Sequence, residues 1–334
     1  MLHRFAKFVA GCTVLLVLAG SLVTSTGSGL SVPDWPTTYG WNMFTFPPSK
    51  WVGGILYEHG HRLIASTVGF LTILLAVWLG VSDPRRWMKR LGAAALVAVI
   101  AQGVLGGLTV MFFLPPAIST AHAGLAEIFF CITVAIALFT SPRWIDGYAD
   151  PVLDVVDDAG LRRLATATTA LIYCQILVGA TMRHTGAGLA IPDFPLMFGH
   201  LWPTHWDSKI AIHFLHRAGA LSVLLAVAAT STTVWRRYHA GGLHRELTRP
   251  AALLVMLVVV QIALGAMTVL TRRDVWVNSV HVVCGALVLT TSLVLTLRTW
   301  RVKFAPHAVR LKPDATAAVR SVRLQADDTG GAAA

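Results

Sequence analysis

The sequence predicts an all-α integral membrane protein: eight transmembrane helices in two tandem, pseudo-symmetric four-helix bundles, with N- and C-termini cytoplasmic. Three observations predict it. Of 334 residues, 55% are hydrophobic and 13% charged, against roughly 25% charged in soluble domains. Eight separate stretches stay apolar over about 20 residues, the length that crosses a bilayer core. The second half of the chain also repeats the motifs of the first, in the same order.

The eight spans read approximately 5–25, 59–81, 91–113, 118–140, 163–184, 209–234, 251–271 and 277–299. The first resembles a signal peptide, but it lacks an A-x-A-like cleavage site and a later segment copies it. It is read as a retained helix. Arg85, Arg86, Lys89 and Arg90 follow span two; Arg143, Arg162 and Arg163 follow span four; Arg236, Arg237, Arg245 and Arg249 follow span six. The intervening connections hold far fewer cations, so the positive-inside rule puts the basic set and both termini in the cytoplasm. Loops 26–58 and 185–208 then face outward. The formal charge of +11 is explained by these loops. No basic patch with interleaved aromatics points to nucleic acid. Cys12, Cys131, Cys174 and Cys284 lie inside apolar segments, and no disulfide framework is implied.

The repeat is explicit. "TGSGLSVPDWPTTYG" (26–40) matches "TGAGLAIPDFPLMFG" (185–199), "QGVLGGLTV" (102–110) matches "QIALGAMTV" (261–269), and "HGHRLIA" (59–65) matches "FLHRAGA" (214–220). The offset is 159 residues for the first two pairs and 155 for the third, because the first outer loop is longer. Four spans return the chain to its starting side, so the units share one topology about an axis along the membrane normal. The division is 1–145, a cytoplasmic linker 146–162, 163–302, and a disordered cytoplasmic tail 303–334.

His61, His122, His216 and His281 recur near the outer ends of spans two, four, six and eight. Within each half the two even spans run parallel, so their histidines sit at matching depth and can face one bundle interior. Two facing imidazoles in apolar walls are what a six-coordinate heme iron requires, each bound through one ring nitrogen. A lone histidine at a helix end is more often an interfacial residue; four at equivalent places favour ligands. Two ligands per half do not fill a tetrahedral zinc site, and a proton relay is the remaining reading.

In "YEHGHR" the repeat pairs His61 with His216 and His59 with Phe214. His59 points about 100° away from its neighbour's face and is expected at the interface. Glu58 lies at i−3 from His61, on the same helix face, whereas His213 precedes His216. A buried carboxylate can exchange protons near neutrality, which points to chemistry in the first half; the bland alternative is a favourable charge at a helix N-terminus. Arg62 and Arg217 follow the two histidines, as snorkelling residues or as propionate contacts. The Gly/Pro loops carrying Asp34 and Asp193 read as rigid covers. Gln102 and Gln261 read as interhelical hydrogen-bonding residues. No GxGxxG, Walker, GxSxG or CxxCH motif is present, so nucleotide binding, serine hydrolysis and covalent c-type heme are not supported.

Through "TGSGL", "YEHGHR", "AHAG", the "HR" of span six and the histidine of span eight, the chain resembles the heme A synthases of bacteria and mitochondria over about residues 1–300. Members of that family oxidise a ring methyl of heme O to a formyl, giving heme A for terminal oxidases. The resemblance implies that His61 and His122 hold the substrate heme O, and the product heme A. It implies that Glu58 takes part in the reaction, and that His216 and His281 hold a heme b that relays electrons. It also implies a bacterial inner (plasma) membrane, with the heme sites toward its outer side. Heme O would come from a heme O synthase and electrons from a donor of unassigned identity, a quinol being the candidate class. Some members carry a cysteine pair in the first outer loop. Residues 26–58 have none, which excludes a thiol-dependent step there. The alternatives are a di-heme b electron-transfer cytochrome, which would hold two unmodified hemes, and a transporter, which would hold none.

Overall fold

A computed structural model describes residues 1–145, 158–239 and 245–301. The expected tail 303–334 and most of the expected linker 146–162 lie outside the described residues. All secondary structure among those described is helical, apart from two isolated bridges, Thr38 with Trp41 and Met197 with His200. The helices are α1 (Leu2–Ser25), α2 (Gly54–Ser82), α3 (Arg86–Met111), α4 (Pro116–Phe139), a short α5 (Pro142–Ile145), α6 (Ala159–His184), α7 (Ser208–Tyr238), α8 (Arg245–Leu270) and α9 (Val275–Trp300). All except α5 are long and apolar enough to cross a membrane.

Several helices outrun their hydrophobic stretches. α2 begins at Gly54 and not at 59, and α8 takes in Arg245, Glu246 and Arg249 ahead of its apolar run. A helix of about 26 residues is about 39 Å long, more than the roughly 30 Å hydrocarbon core, so the charged first turn of α8 extends beyond the core and the first turns of α2 run up under the loop that covers Glu58 and His59. Asp158, Asp207 and Asp274 cap α6, α7 and α9 by accepting backbone N–H bonds from the first turn.

α1 packs against α2 and α4, and α3 closes the ring between α2 and α4; α6, α7, α8 and α9 close a second ring in the same order. α1 and α4 meet α9, and α4 also meets α6. α4 and α9 are therefore the central helices. Their buried positions are rich in small and hydroxyl residues, including Ser119, Gly124 and Thr133, and Ser279, Gly285, Thr290 and Thr296. Small side chains let helix backbones approach closely where lipid supplies no hydrophobic drive. Hydroxyl pairs bridge the helices: Thr168 to Thr230 at 2.8 Å, and Thr169 to Ser292 at 2.7 Å. The outward faces carry Phe70, Val97, Leu225 and Val259, all exposed, as a lipid-facing surface should be.

Across the two rings, the last turn of α6 reaches α1. Arg183 Nη2 donates to Ser21 O (2.9 Å) and Ser25 Oγ (2.8 Å), and Ser25 also meets Ser279 and Asn278 of α9. This polar clasp fixes the two rings against each other beside the histidines.

Candidate functional site

Each long loop, 26–53 and 185–207, folds over the helix ends by the same construction. Asp34 accepts from Tyr39 N (2.8 Å), Gly40 N (2.9 Å) and Thr37 Oγ1 (2.5 Å). Asp193 accepts from Phe198 N and Gly199 N, both at 2.8 Å. Burial acts to raise both carboxyls, but these hydrogen bonds outweigh it and hold each below the usual carboxylate range. The peptides Trp35–Pro36 and Phe194–Pro195 are both cis. Trp35 lies across Gly107 of α3, where a Cβ would fall 2.5 Å from the indole. The second ring pairs Phe194 with Ala266 at these positions.

Arg62 and Arg217 are the clamps of these covers. Arg62 donates through Nη1 to Asp34 O (2.7 Å) and Thr37 O (3.0 Å), and through Nη2 to Val32 O (2.8 Å). Arg217 donates to the equivalent carbonyls of Asp193 (2.6 Å), Leu196 (2.9 Å) and Ile191 (3.3 Å). Their terminal nitrogens are thus engaged by the loops, and propionate contacts through them would require the clamp to open.

Glu58 takes part in the same clamp. It is 3% exposed; Oε2 accepts from Val32 N and Oε1 pairs with Arg62 Nη2, both at 2.8 Å. His213, 2% exposed, does the corresponding work: Nδ1 accepts from Ile191 N (3.2 Å), and Nε2 meets Arg217 Nε at 3.3 Å. The two residues hold equivalent peptides with different charge. His59 is fully buried under the first loop and not interfacial. Its Nδ1 lies 3.1 Å from Thr38 Oγ1, and its ring packs on Phe46 and Trp51. Phe214 packs on Trp202 and Trp206 in the same way, so position 59 belongs to an aromatic roof.

The four repeated histidines each rest on a glycine of the preceding spanning helix. A Cβ on Gly20 would fall 3.0 Å from the His61 ring, on Gly106 3.3 Å from His122, on Gly179 2.8 Å from His216, and on Gly265 3.1 Å from His281. His61 and His122 lie on α2 and α4 of the first ring, and His216 and His281 on α7 and α9 of the second, so each ring holds one pair. Nδ1 of His61, His122 and His281 is buried and unpartnered, and His216 Nδ1 meets Gln175 at 2.9 Å. Nε2 is the nitrogen left for a ligand in the first two and in His216. His281 Nε2 has a long contact, 3.4 Å, with Gln261 Nε2. That contact joins α8 to α9, the interhelical role expected of Gln261; Gln102 and Gln261 each also bury an unpartnered Oε1.

Among the described residues no three His, Cys, Asp or Glu side chains gather as a metal site. Paired imidazoles without a third ligand do not suit a tetrahedral ion. They do suit a bis-histidine heme, whose remaining four iron ligands belong to the porphyrin. The glycine beds, and the Nε2 atoms of His61, His122 and His216 that carry no protein hydrogen bond, fit that group.

Three features escaped sequence reading. The glycine beds were legible in the repeat, as "LAGS" against "LVGA" and "LGG" against "LGA", but helical glycines carry no obvious chemistry. His184, on the last turn of α6, lies within electrostatic reach of His122. Glu127, 4% exposed on α4, has an unpartnered Oε2; its counterpart is Ala286. Glu127, like Glu58, is thus a buried carboxylate of the first ring without an acidic counterpart in the second.

The family model COX15-CtaA, described as cytochrome oxidase assembly protein, matches residues 3–293. A protein of Halalkalibacterium halodurans named heme A synthase is 31% identical, over 87% of this chain and 95% of its own length. Proteins of the same name from Alkalihalophilus pseudofirmus (29%, 84% and 92%) and Geobacillus kaustophilus (26%, 92% and 97%) align over similar shares.

Proposed function

The chain belongs to the COX15-CtaA family of cytochrome oxidase assembly proteins, and from that premise we propose that it is a membrane-embedded heme A synthase. It oxidises a methyl group of heme O to a formyl by successive hydroxylations, through an alcohol and then a diol that loses water. The half comprising 1–145 holds heme O between His61 and His122. The half comprising 163–302 holds a heme b between His216 and His281. Bound heme b supplies one-electron storage, relaying electrons from a donor such as a quinol. Both termini lie in the cytoplasm of a bacterial inner membrane, with the histidines toward the outer side, and heme O arrives from a heme O synthase.

The observation that carries this reading is the fourfold arrangement of a histidine on a glycine bed, in two pairs with no third ligand among the described residues. The chain's own part is positional. The glycines seat the imidazoles, Nδ1 of His61, His122 and His281 is buried, and the clamped loops cover the helix ends beside them. Glu58, held by Arg62 and Val32 N–H, keeps a carboxylate at the first cover, where the substrate's reacting edge would meet it.

The interchangeable clamp work of Glu58 and His213 favours a second reading, a di-heme b electron-transfer cytochrome with two equivalent halves. A pyridine-hemochrome spectrum with mass analysis of extracted heme, on protein made with ample heme, separates the two. Protoheme together with heme O or A supports the synthase. Two equivalents of unmodified protoheme support the cytochrome, and absence of heme removes both.

A further inference from the structure

Among the four histidines, His216 alone has a side-chain amide on Nδ1. Gln175, on α6, places Nε2 2.9 Å from His216 Nδ1 and donates to His216 O at 2.7 Å. The space for this amide is made by Gly219 on α7, one turn beyond His216; a Cβ there would fall 2.0 Å from Gln175 Oε1. The repeat places Leu16 where Gln175 stands and Ile64 where Gly219 stands. Thus the first half has two aliphatic side chains where the second has an amide and a bare backbone. His61 Nδ1 is correspondingly buried without a partner.

We propose that Gln175 is a positioning residue which locks His216 for permanent retention of its heme, and that the Leu16–Ile64 pair leaves His61 unlocked so that the heme of the first half can be exchanged. This inference rests on the two-heme reading above. A synthase must release heme A each cycle while keeping its electron-relaying heme, so the two axial sites need opposite residence times. A primary amide offers both a donor and an acceptor, so it pairs with Nδ1 whether or not that nitrogen carries a proton. A partner on the second ring nitrogen fixes ring orientation and raises ligand basicity. An unpartnered imidazole resting on glycine has neither restraint.

The test uses the full-length purified protein and follows heme loss to excess apomyoglobin, with the reduced spectrum and the midpoint potential as further readouts. Gln175→Leu, which installs the first-half residue, is expected to speed loss of heme b by about 10–100-fold, the usual cost of removing such a partner. Gln175→Glu puts a carboxylate acceptor at Nδ1 in place of the amide Nε2 and should retain heme b while lowering its midpoint potential. The reciprocal Leu16→Gln/Ile64→Gly variant should slow loss of the first-half heme. If Gln175 merely fills space, leucine would be harmless and glutamate would not shift the potential; that pair of results overturns the proposal. Protein whose heme content is unchanged by His216→Ala would instead refute the two-heme reading on which it rests.

Discussion

The two long loops, 26–53 and 185–207, are built to one plan, yet they are held down by different chemistry. In the first, Glu58 forms a buried ion pair with Arg62 and accepts Val32 N–H; in the second, His213 accepts Ile191 N–H beside Arg217. The loop carbonyls meet the guanidinium in the same way in both. The carboxylate is therefore not needed to build the cover, because histidine builds an equivalent one. What changes is charge: Arg62 is neutralised beside the first pair of histidines, and Arg217 is not neutralised by His213 beside the second. Substitutions that leave a shared scaffold intact mark where the two halves have separated in function. Gln175 against Leu16, and Glu127 against Ala286, belong to the same class.

The comparison breaks most completely at the histidines. His61→Ala or His122→Ala should abolish heme O conversion, read by extracted-heme chromatography. His216→Ala or His281→Ala should remove the heme b absorbance. Next come the glycine beds. Gly179→Ala, with its Cβ 2.8 Å from the His216 ring, should cost most heme, and Gly106→Ala, at 3.3 Å, least. Overpacking of this kind costs about 1–3 kcal/mol, visible as reduced heme occupancy and a lower thermal midpoint. An inverted order would mean that the beds do not set the histidines.

Glu58→His sharpens the question that Glu58 raises, since it gives the first half the residue the second half uses. The loop should stay seated, with protease resistance near that of the parent, while conversion falls by about 100–10,000-fold, the range of a positioned acid–base group. Undiminished conversion would reduce Glu58 to a clamp. The smallest expected effect is on pH. Asp34 and Asp193 sit below the ordinary aspartate value, so their contribution is present above that value, about 3.9, and is lost as pH falls through their lower folded values. Loop proteolysis should rise only below about pH 4, and Asp34→Asn should shift that onset.

The eight spans were legible because hydropathy over about 20 residues is a strong signal, and the histidines because the repeat compares each with its equivalent. The helix ends were less so: α2 starts five residues before its apolar run, since a helix continues into the headgroup layer as long as its backbone bonds are met. Glu58 was identified as distinctive from the residue at position 213. Its engagement by Val32 and Arg62 depends on a loop that folds back across 26 residues, which helical spacing does not predict. His59 was assigned to the interface by helix angle alone, but the roof of Phe46 and Trp51 closes over it. The glycines under the histidines were hidden because their function is the absence of a side chain.

The central claim is that the two histidine pairs hold different hemes. Mass analysis of heme extracted from His61→Ala and His216→Ala proteins, purified side by side, tests it most directly. The account predicts that His216→Ala loses protoheme and keeps heme O or A, while His61→Ala keeps protoheme and loses the others. Equal loss of a single heme species from both variants would contradict it.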